Sequence, residues 1–246
     1  MAAQNDDPIK RSAELTRLFR TLNHDVKSPL HAIETLSSMY CEDPDSFSPE
    51  EKQSFVFEIN RSVHGINETV AGIMHWLDYH RTRDELPRIE TDVSLAVAEA
   101  IRMVQSSLQS KNIELIRELP ADGKDVTEYK GSLAQIVRTL LSNAIKYSHA
   151  GGKAILRVQE SDSAPSIFIE VEDFGVGLDE QVRDGLFDYT KRTMKEGTSG
   201  EKGAGLGLLL ARDIAQQNSA SLDVFPKEGP GALFRLLWPV RIEQNL

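Results

Sequence analysis

The apolar residues of the first third of the chain recur at helical spacing and then stop doing so. This change of period limits what the chain can fold into. Between about residues 8 and 41, Leu15, Phe19, Leu22, Val26, Leu30, Ile33 and Leu36 lie three or four positions apart, as one face of a helix requires. The segment Cys41-Glu42-Asp43-Pro44-Asp45-Ser46-Phe47 breaks the stripe. Ser48-Pro49-Glu50-Glu51 then reads as a helix start, with an N-cap serine, proline at the first helical position and glutamate at the third. The stripe that follows, Phe55, Ile59, Val63, Ile66, Val70, Ile73 and Leu77, has a 4-4-3-4-3-4 spacing close to a coiled-coil seam. Two such helices make a hairpin with one apolar flank still wet. Two hairpins close a four-helix bundle, so the pattern predicts a homodimer.

The run Arg81-Thr82-Arg83-Asp84-Glu85-Leu86-Pro87-Arg88 is charged, loses the stripe and reaches a proline, which predicts a hinge. The chain therefore divides into a helical hairpin at 1–84 and a second domain at 85–246. In the second domain helices are predicted at about 94–111, 131–147, 179–187 and 206–218, and strands at about 113–117, 153–159, 166–172, 221–225 and 232–238. Helices and strands do not alternate one for one. The expected class is α+β, with a mixed sheet covered by helices on one face rather than a doubly wound parallel sheet.

Composition narrows the function. With 246 residues, 40% of them hydrophobic, the chain can bury substantial cores. No apolar run approaches the roughly 20 residues of a membrane span, and the polar start Met1-Ala2-Ala3-Gln4-Asn5-Asp6-Asp7 lacks the features of a signal peptide. A cytoplasmic location without membrane contact from this segment is expected. Lysine and arginine number 28 against 38 acidic residues, and the net charge of −10 opposes nonspecific attraction to nucleic acid. The single cysteine, Cys41, can form neither an internal disulfide nor a multi-thiolate zinc site, as suits a reducing compartment.

Two glycine clusters point to a nucleotide. Asp173 ends the predicted strand Ile167-Phe168-Ile169-Glu170-Val171-Glu172, and Gly175 and Gly177 let the backbone turn close to a flat ligand. A buried carboxylate there can accept an exocyclic amine, although an ordinary turn after a strand has the same appearance. Gly203, Gly205 and Gly207 flank Leu206 and precede the apolar run Leu208-Leu209-Leu210-Ala211. Such a loop delivers backbone N–H groups to a helix N-terminus, where phosphate is favoured. Between the clusters, residues 188–202 are polar and suit a lid carrying Lys191, Arg192, Lys195 and Lys202. Upstream, Asn143 lies on a helix whose Ile136, Leu140 and Ala144 face inward. Its amide oxygen can help hold Mg2+, which keeps waters and bridges nucleotide phosphates. Lys146 would reach phosphate and Tyr147 could pack beside the base; a backbone-bonded asparagine and a core tyrosine are the plainer alternatives.

In order along the chain, His24-Asp25-Val26-Lys27-Ser28-Pro29-Leu30, the Asn143 to Tyr147 helix, Asp173 to Gly177 and Gly203 to Gly207 resemble the H-box, N-box and two glycine boxes of two-component sensor histidine kinases, over nearly the whole chain. The resemblance implies a dimerisation and histidine-phosphotransfer bundle followed by a Bergerat-type ATP-binding α/β sandwich. It further implies that Asp173 bonds the adenine amino group, that Asn143 binds Mg2+, and that a lid lies between the glycine boxes. Phe187 and Tyr189 stand where the family has its F-box. Asp25, Lys27 and Ser28 replace the common Glu, Arg and Thr of the H-box, and Thr139 stands where many N-boxes have a first asparagine.

His24 lies off the apolar stripe, is followed at once by an acid and has Pro29 five residues on. Proline inside a helix removes one backbone hydrogen bond at a cost of about 3 kcal/mol and loosens that turn. His31, His64, His75, His80 and His149 lack this context. The expected activity is ATP-dependent autophosphorylation of His24, with Asp25 orienting the imidazole or taking its proton. The phosphoryl group then passes to an aspartate of a separate response regulator receiver domain. The alternative is a catalytically inactive phosphotransfer or scaffold protein with a degenerate ATP site.

Overall fold

The computed structural model describes residues 26–82, 87–120, 123–161, 164–188, 197–201, 207–225 and 227–240. Helical backbone at residues 26–42 forms the described part of α1. A short 3-10 turn at Pro44–Ser46 follows, closed by the Ser46 hydroxyl donating to the Asp43 carbonyl at 2.8 Å. Helix α2 runs Pro49–Thr82. Its start is the predicted capping box: the Ser48 N–H donates to Glu51 Oε2 at 2.8 Å and the Glu51 N–H donates to Ser48 Oγ at 3.2 Å. Phe47 meets Phe55 edge-on at 4.9 Å between ring centres and sets the angle of the turn.

The second region runs β1 (Arg88–Asp92), α3 (Val93–Ser110), β2 (Glu114–Glu118), β3 (Asp125–Tyr129), α4 (Ser132–Tyr147), β4 (Lys153–Glu160), β5 (Ser166–Asp173), α5 (Glu180–Gly185), α6 (Gly207–Gln217), β6 (Ser221–Phe225) and β7 (Leu233–Pro239). Five strands form a mixed sheet in the order β2-β4-β5-β7-β6, parallel between β2 and β4 and antiparallel elsewhere. The α+β class and the single helical layer follow the sequence pattern.

The core lies between one sheet face and helices α3, α4 and α6. Helix α3 buries Val93, Ala96, Val97, Ala100, Val104 and Leu108, and α4 buries Leu133, Ile136, Val137, Leu140, Leu141, Ala144 and Ile145. Alternate strand residues complete it, among them Leu156, Ile167, Ile169, Val171, Leu236 and Trp238. The other sheet face carries charge. Arg157 on β4 pairs with Glu118 and Glu172, and Arg235 on β7 pairs with Glu170, each at 2.6–2.7 Å.

Strands β1 and β3 pair antiparallel as a separate two-stranded sheet that the sequence pattern does not predict. Glu128 on β3 explains its role. This carboxylate is buried and accepts the Thr91 hydroxyl at 2.8 Å, the Gly131 N–H at 3.3 Å and the Leu133 N–H at 2.6 Å. It caps α4, whose N-cap residue Gly131 has φ +82° and no side chain of its own to offer. Negative charge at the helix N-terminus adds to the gain. The two-stranded sheet therefore fixes the start of the helix that ends at the candidate site.

Candidate nucleotide site

Helix α4 ends in carbonyls with no partners inside the helix. Two loops supply them. The Val176 N–H donates to the Tyr147 carbonyl at 3.1 Å, and the Thr198 N–H donates to the Lys146 carbonyl at 3.1 Å. The Thr198 hydroxyl donates to the Ser148 carbonyl. The helix bearing Asn143 is thus the common anchor for the first glycine cluster and for the turn at 197–201.

This geometry corrects the reason given for Gly175. A Cβ there would lie 1.9 Å from the Tyr147 carbonyl oxygen, so the missing side chain admits another stretch of protein backbone rather than a ligand. Gly177 adopts φ +75°, where glycine carries no steric penalty. Gly231, at φ +114°, would place a Cβ 2.0 Å from the Asp173 carbonyl. Asp173 is therefore enclosed by two close backbone passages.

Asp173 ends β5 and is 3% exposed. Its Oδ1 accepts the Gly175 N–H at 3.0 Å, while its own N–H donates to the Ala232 carbonyl at 2.9 Å. Burial pushes its carboxyl above the ordinary aspartate value, against the pull of the Gly175 and Ala232 N–H groups and the Lys227 charge. Lys227 holds the strand end in place: its Nζ donates to the Asp173 carbonyl at 2.9 Å, pairs with Glu172 Oε1 at 2.9 Å and lies 3.6 Å from the centre of the Phe174 ring. Glu172 is desolvated, yet Lys227 and Arg157 bring its pKa below 4.5.

Asn143 is half-buried on α4, and its Nδ2 is buried with no hydrogen-bond partner among the described residues. Buried amides without partners are rare in folded proteins, and an asparagine exchanges its O and N positions by turning over. Such an uncommitted group suits a ligand. No group of three or more His, Cys, Asp or Glu able to hold a metal occurs among the described residues. A cation here would rely on few protein ligands, as Mg2+ does when it is carried on phosphates. Thr139 spends its hydroxyl on the Gln135 carbonyl at 3.0 Å.

Lys146 and Tyr147 are both half-buried, with the Lys146 ammonium 5.2 Å from the centre of the Tyr147 ring. Gly207 opens α6, and a Cβ on it would lie 3.3 Å from Thr139 Cγ2 on α4. Phe187 stacks under the Arg212 guanidinium at 4.5 Å. His24, Asp25, Tyr189, Lys191, Arg192, Lys195, Lys202, Gly203, Gly205 and Leu206 lie outside the described residues.

Four residues near the site have no role of their own in the sequence reading, although Thr198 and Glu201 fall within the expected lid at 188–202: Lys111, Thr198, Glu201 and Lys227. The Lys111 Nζ, almost fully buried, meets Glu201 Oε1 at 2.6 Å and the Lys146 carbonyl at 2.7 Å. Burial opposes ionisation of Glu201, but hydrogen bonds from Lys111 and from the N–H groups of Glu201 and Ser199 keep its carboxyl below the ordinary 4.5. Lys111 ends a predicted helix, where a cation is favoured. No local signal marks the other three.

Residues 129–242 match the family described as histidine kinase-, DNA gyrase B-, and HSP90-like ATPase. The likeness to sensor kinases extends further. The adaptive-response sensory kinase SasA of Crocosphaera subtropica is 27% identical over 239 residues, covering 91% of this chain and 59% of that protein. Among solved structures, the histidine kinase ThkA in complex with the response regulator protein TrrA superposes with a TM-score of 0.71 at 16% identity, over 97% of this chain and 66% of that one. Full-length ShkA in complex with AMPPNP gives a TM-score of 0.58 at 20% identity, over 89% of this chain and 45% of that one. These findings support a two-component histidine kinase catalytic core. The chain spans 25% to 60% of the length of the curated relatives it matches.

Proposed function

We propose that this chain is a protein histidine kinase core that phosphorylates its own His24 from ATP and hands the phosphoryl group to an aspartate on the receiver domain of a separate response regulator. The observation that carries this reading is Asp173, a buried carboxylate at a strand end, enclosed by Gly175 and Gly231 and tied to the same helix as the uncommitted Asn143. That is a site for a planar base with an amino group, beside a place for phosphates. Asp173 accepts the adenine amine, and Gly175, Gly177, Gly203, Gly205, Leu206 and Gly207 are assigned to ATP binding. Lys146 and Tyr147 line its helix side. Asn143 holds Mg2+, which when bound offsets charge on the nucleotide phosphates.

His24, as the neutral imidazole, attacks the γ-phosphorus in line. An N–P bond forms, the bond to the ADP oxygen breaks, and Asp25 orients the ring or takes its proton. The domain boundaries of 1–84 and 85–246 put acceptor and ATP site on separate bodies, with the charged 81–88 segment as hinge. A homodimeric four-helix bundle is supported by the exposed Val56, Val63 and Val70 on one face of α2. No helix among the described residues is long and apolar enough to cross a membrane, and the reading places the core in the cytoplasm. The crystallised pairing of ThkA with a response regulator supports the choice of partner. Among the described residues, nothing in the site favours the inactive scaffold.

The test is nucleotide titration together with transfer from γ-labelled ATP, comparing the intact chain with Asp173→Ala. The proposal expects binding and label in the intact protein, and a loss of about a hundredfold or more in both for the variant, because the adenine amine is left unpaired in a site built to bond it. Tight binding that survives Asp173→Ala would refute this site.

A further inference from the structure

Lys227 is a cation whose side chain is only 9% exposed, and the proposed chemistry gives it no part. Desolvating an ammonium is costly unless it is well partnered. Its partners are three consecutive residues at and just beyond the end of β5: Glu172 Oε1 at 2.9 Å, the Asp173 carbonyl at 2.9 Å and the face of the Phe174 ring. Glu172 is held in turn by Arg157 at 2.7 Å, and Arg157 by Glu118 at 2.7 Å. The ammonium is therefore anchored to a row of ion pairs that crosses β5, β4 and β2.

The end of β5 needs such a partner. The Asp173 N–H donates to the Ala232 carbonyl at 2.9 Å, and an antiparallel ladder would return a strand N–H to the Asp173 carbonyl. Strand β7 begins only at Leu233, and the chain before it leaves the ladder through Gly231 at φ +114°. The Lys227 ammonium takes the place of the strand donor. Asp173 is thereby held at its N–H and its carbonyl, while the Gly175 N–H holds Oδ1. The charge matters as well. Burial favours the neutral carboxyl, which can donate as well as accept, whereas Lys227 pulls Asp173 towards the ionised form, which only accepts. Glu172 pushes the other way, and it is itself paired with Lys227. An acceptor-only group suits an amine and repels a carbonyl oxygen.

We infer that Lys227 is a positioning residue: by fixing the backbone of Asp173 and placing a positive charge beside it, it sets the preference of the site for a 6-amino over a 6-oxo purine. Lys227 acts through Asp173 and is assigned no contact with the base. This inference rests on the nucleotide reading above and concerns the base side of the site alone.

The test uses the full 246-residue chain with Lys227→Met and Lys227→Gln, titrated separately with Mg2+-ATP and with Mg2+-inosine triphosphate by ligand-detected NMR. The two nucleotides carry the same phosphates and differ at the 6-position of the purine, so phosphate contacts cancel in the ratio of affinities. The intact chain should prefer ATP by about a hundredfold or more. In Lys227→Met, ATP affinity should fall about tenfold because a hydrogen bond from a charged group is lost, with inosine triphosphate unchanged within about twofold. Lys227→Gln keeps a donor but no charge, and its preference should fall about threefold; it reports even if Lys227→Met folds poorly. A lysine that merely supported the fold would weaken both nucleotides alike. An unchanged preference in either variant, or an equal loss for both nucleotides, would overturn the inference while leaving the nucleotide site standing. An intact chain with no preference for ATP would overturn the reading of Asp173 and the inference together.

Discussion

On α2, Val56, Val63 and Val70 stand seven residues apart and are 66%, 41% and 42% exposed, whereas Phe234, Leu236 and Trp238 on β7 are at most 4% exposed. The two regions use apolar residues in opposite ways. The sheet and its helices close a core within one chain. The hairpin buries little by itself: Thr69 is the only residue classed as buried among those of α2 whose side chains are described. The proposed homodimer would cover this stripe with a second copy. This contrast teaches that one region closes its core within the chain, while the other leaves apolar residues exposed that the proposed dimer would bury.

The comparison breaks most severely at Trp238. It is fully buried in the sheet core, so Trp238→Ala should cost about 3–5 kcal/mol of unfolding free energy in urea, with no direct effect on self-association of the hairpin. Gly175→Ala comes next. The added Cβ meets a carbonyl oxygen rather than a movable side chain, and a loss of about 3 kcal/mol is expected by thermal melting, accompanied by weaker nucleotide binding. On the hairpin, Val63→Asp should raise the dimer dissociation constant about tenfold or more in sedimentation equilibrium, leaving the melting of the sheet region in place.

Asp173→Asn separates folding from function. A raised carboxyl pKa means that this aspartate's favourable contribution is present below its ordinary value of 3.8 and is lost as pH rises through the raised value. The neutral amide should therefore hold or increase stability at pH 7, by up to about 1 kcal/mol, while nucleotide affinity collapses. Glu172 gives the smallest effect and the opposite sign. Its pKa is lowered, so its contribution is present above 4.5 and lost as pH falls through the lowered value. In Glu172→Gln that part of the acid destabilisation should be missing from melting curves taken between neutral and acidic pH.

What could be read in the sequence follows the same division. The capping box at Ser48 to Glu51, the long helices and the interior strands announce themselves through local chemistry and period, and each is found within a residue or two of its expected bounds, apart from α5, which is shorter, and the start of the first helix, which lies outside the described residues. Strand β3 does not, because Val126 and Glu128 both point inward and the buried acid spoils the apolar alternation on which recognition of a strand depends. Gly175 was legible as a special residue, but its purpose was not: the backbone that fills its empty side belongs to Tyr147, 28 positions earlier. Lys111 and Lys227 were invisible for a related reason. Their partners lie 90 and 54 residues away, and an isolated lysine looks the same in sequence whether it is solvated or buried in a bridge. Pairings made by the fold leave little trace in local pattern.

The most direct test joins the two regions: transfer from γ-labelled ATP with Mg2+, comparing the intact chain with His24→Ala and mapping the modified residue. Label on His24 that is labile to acid, stable to alkali and absent from His24→Ala is the expected result. Label that persists in His24→Ala, or an intact chain that binds ATP yet transfers nothing under any dimeric condition, would contradict it.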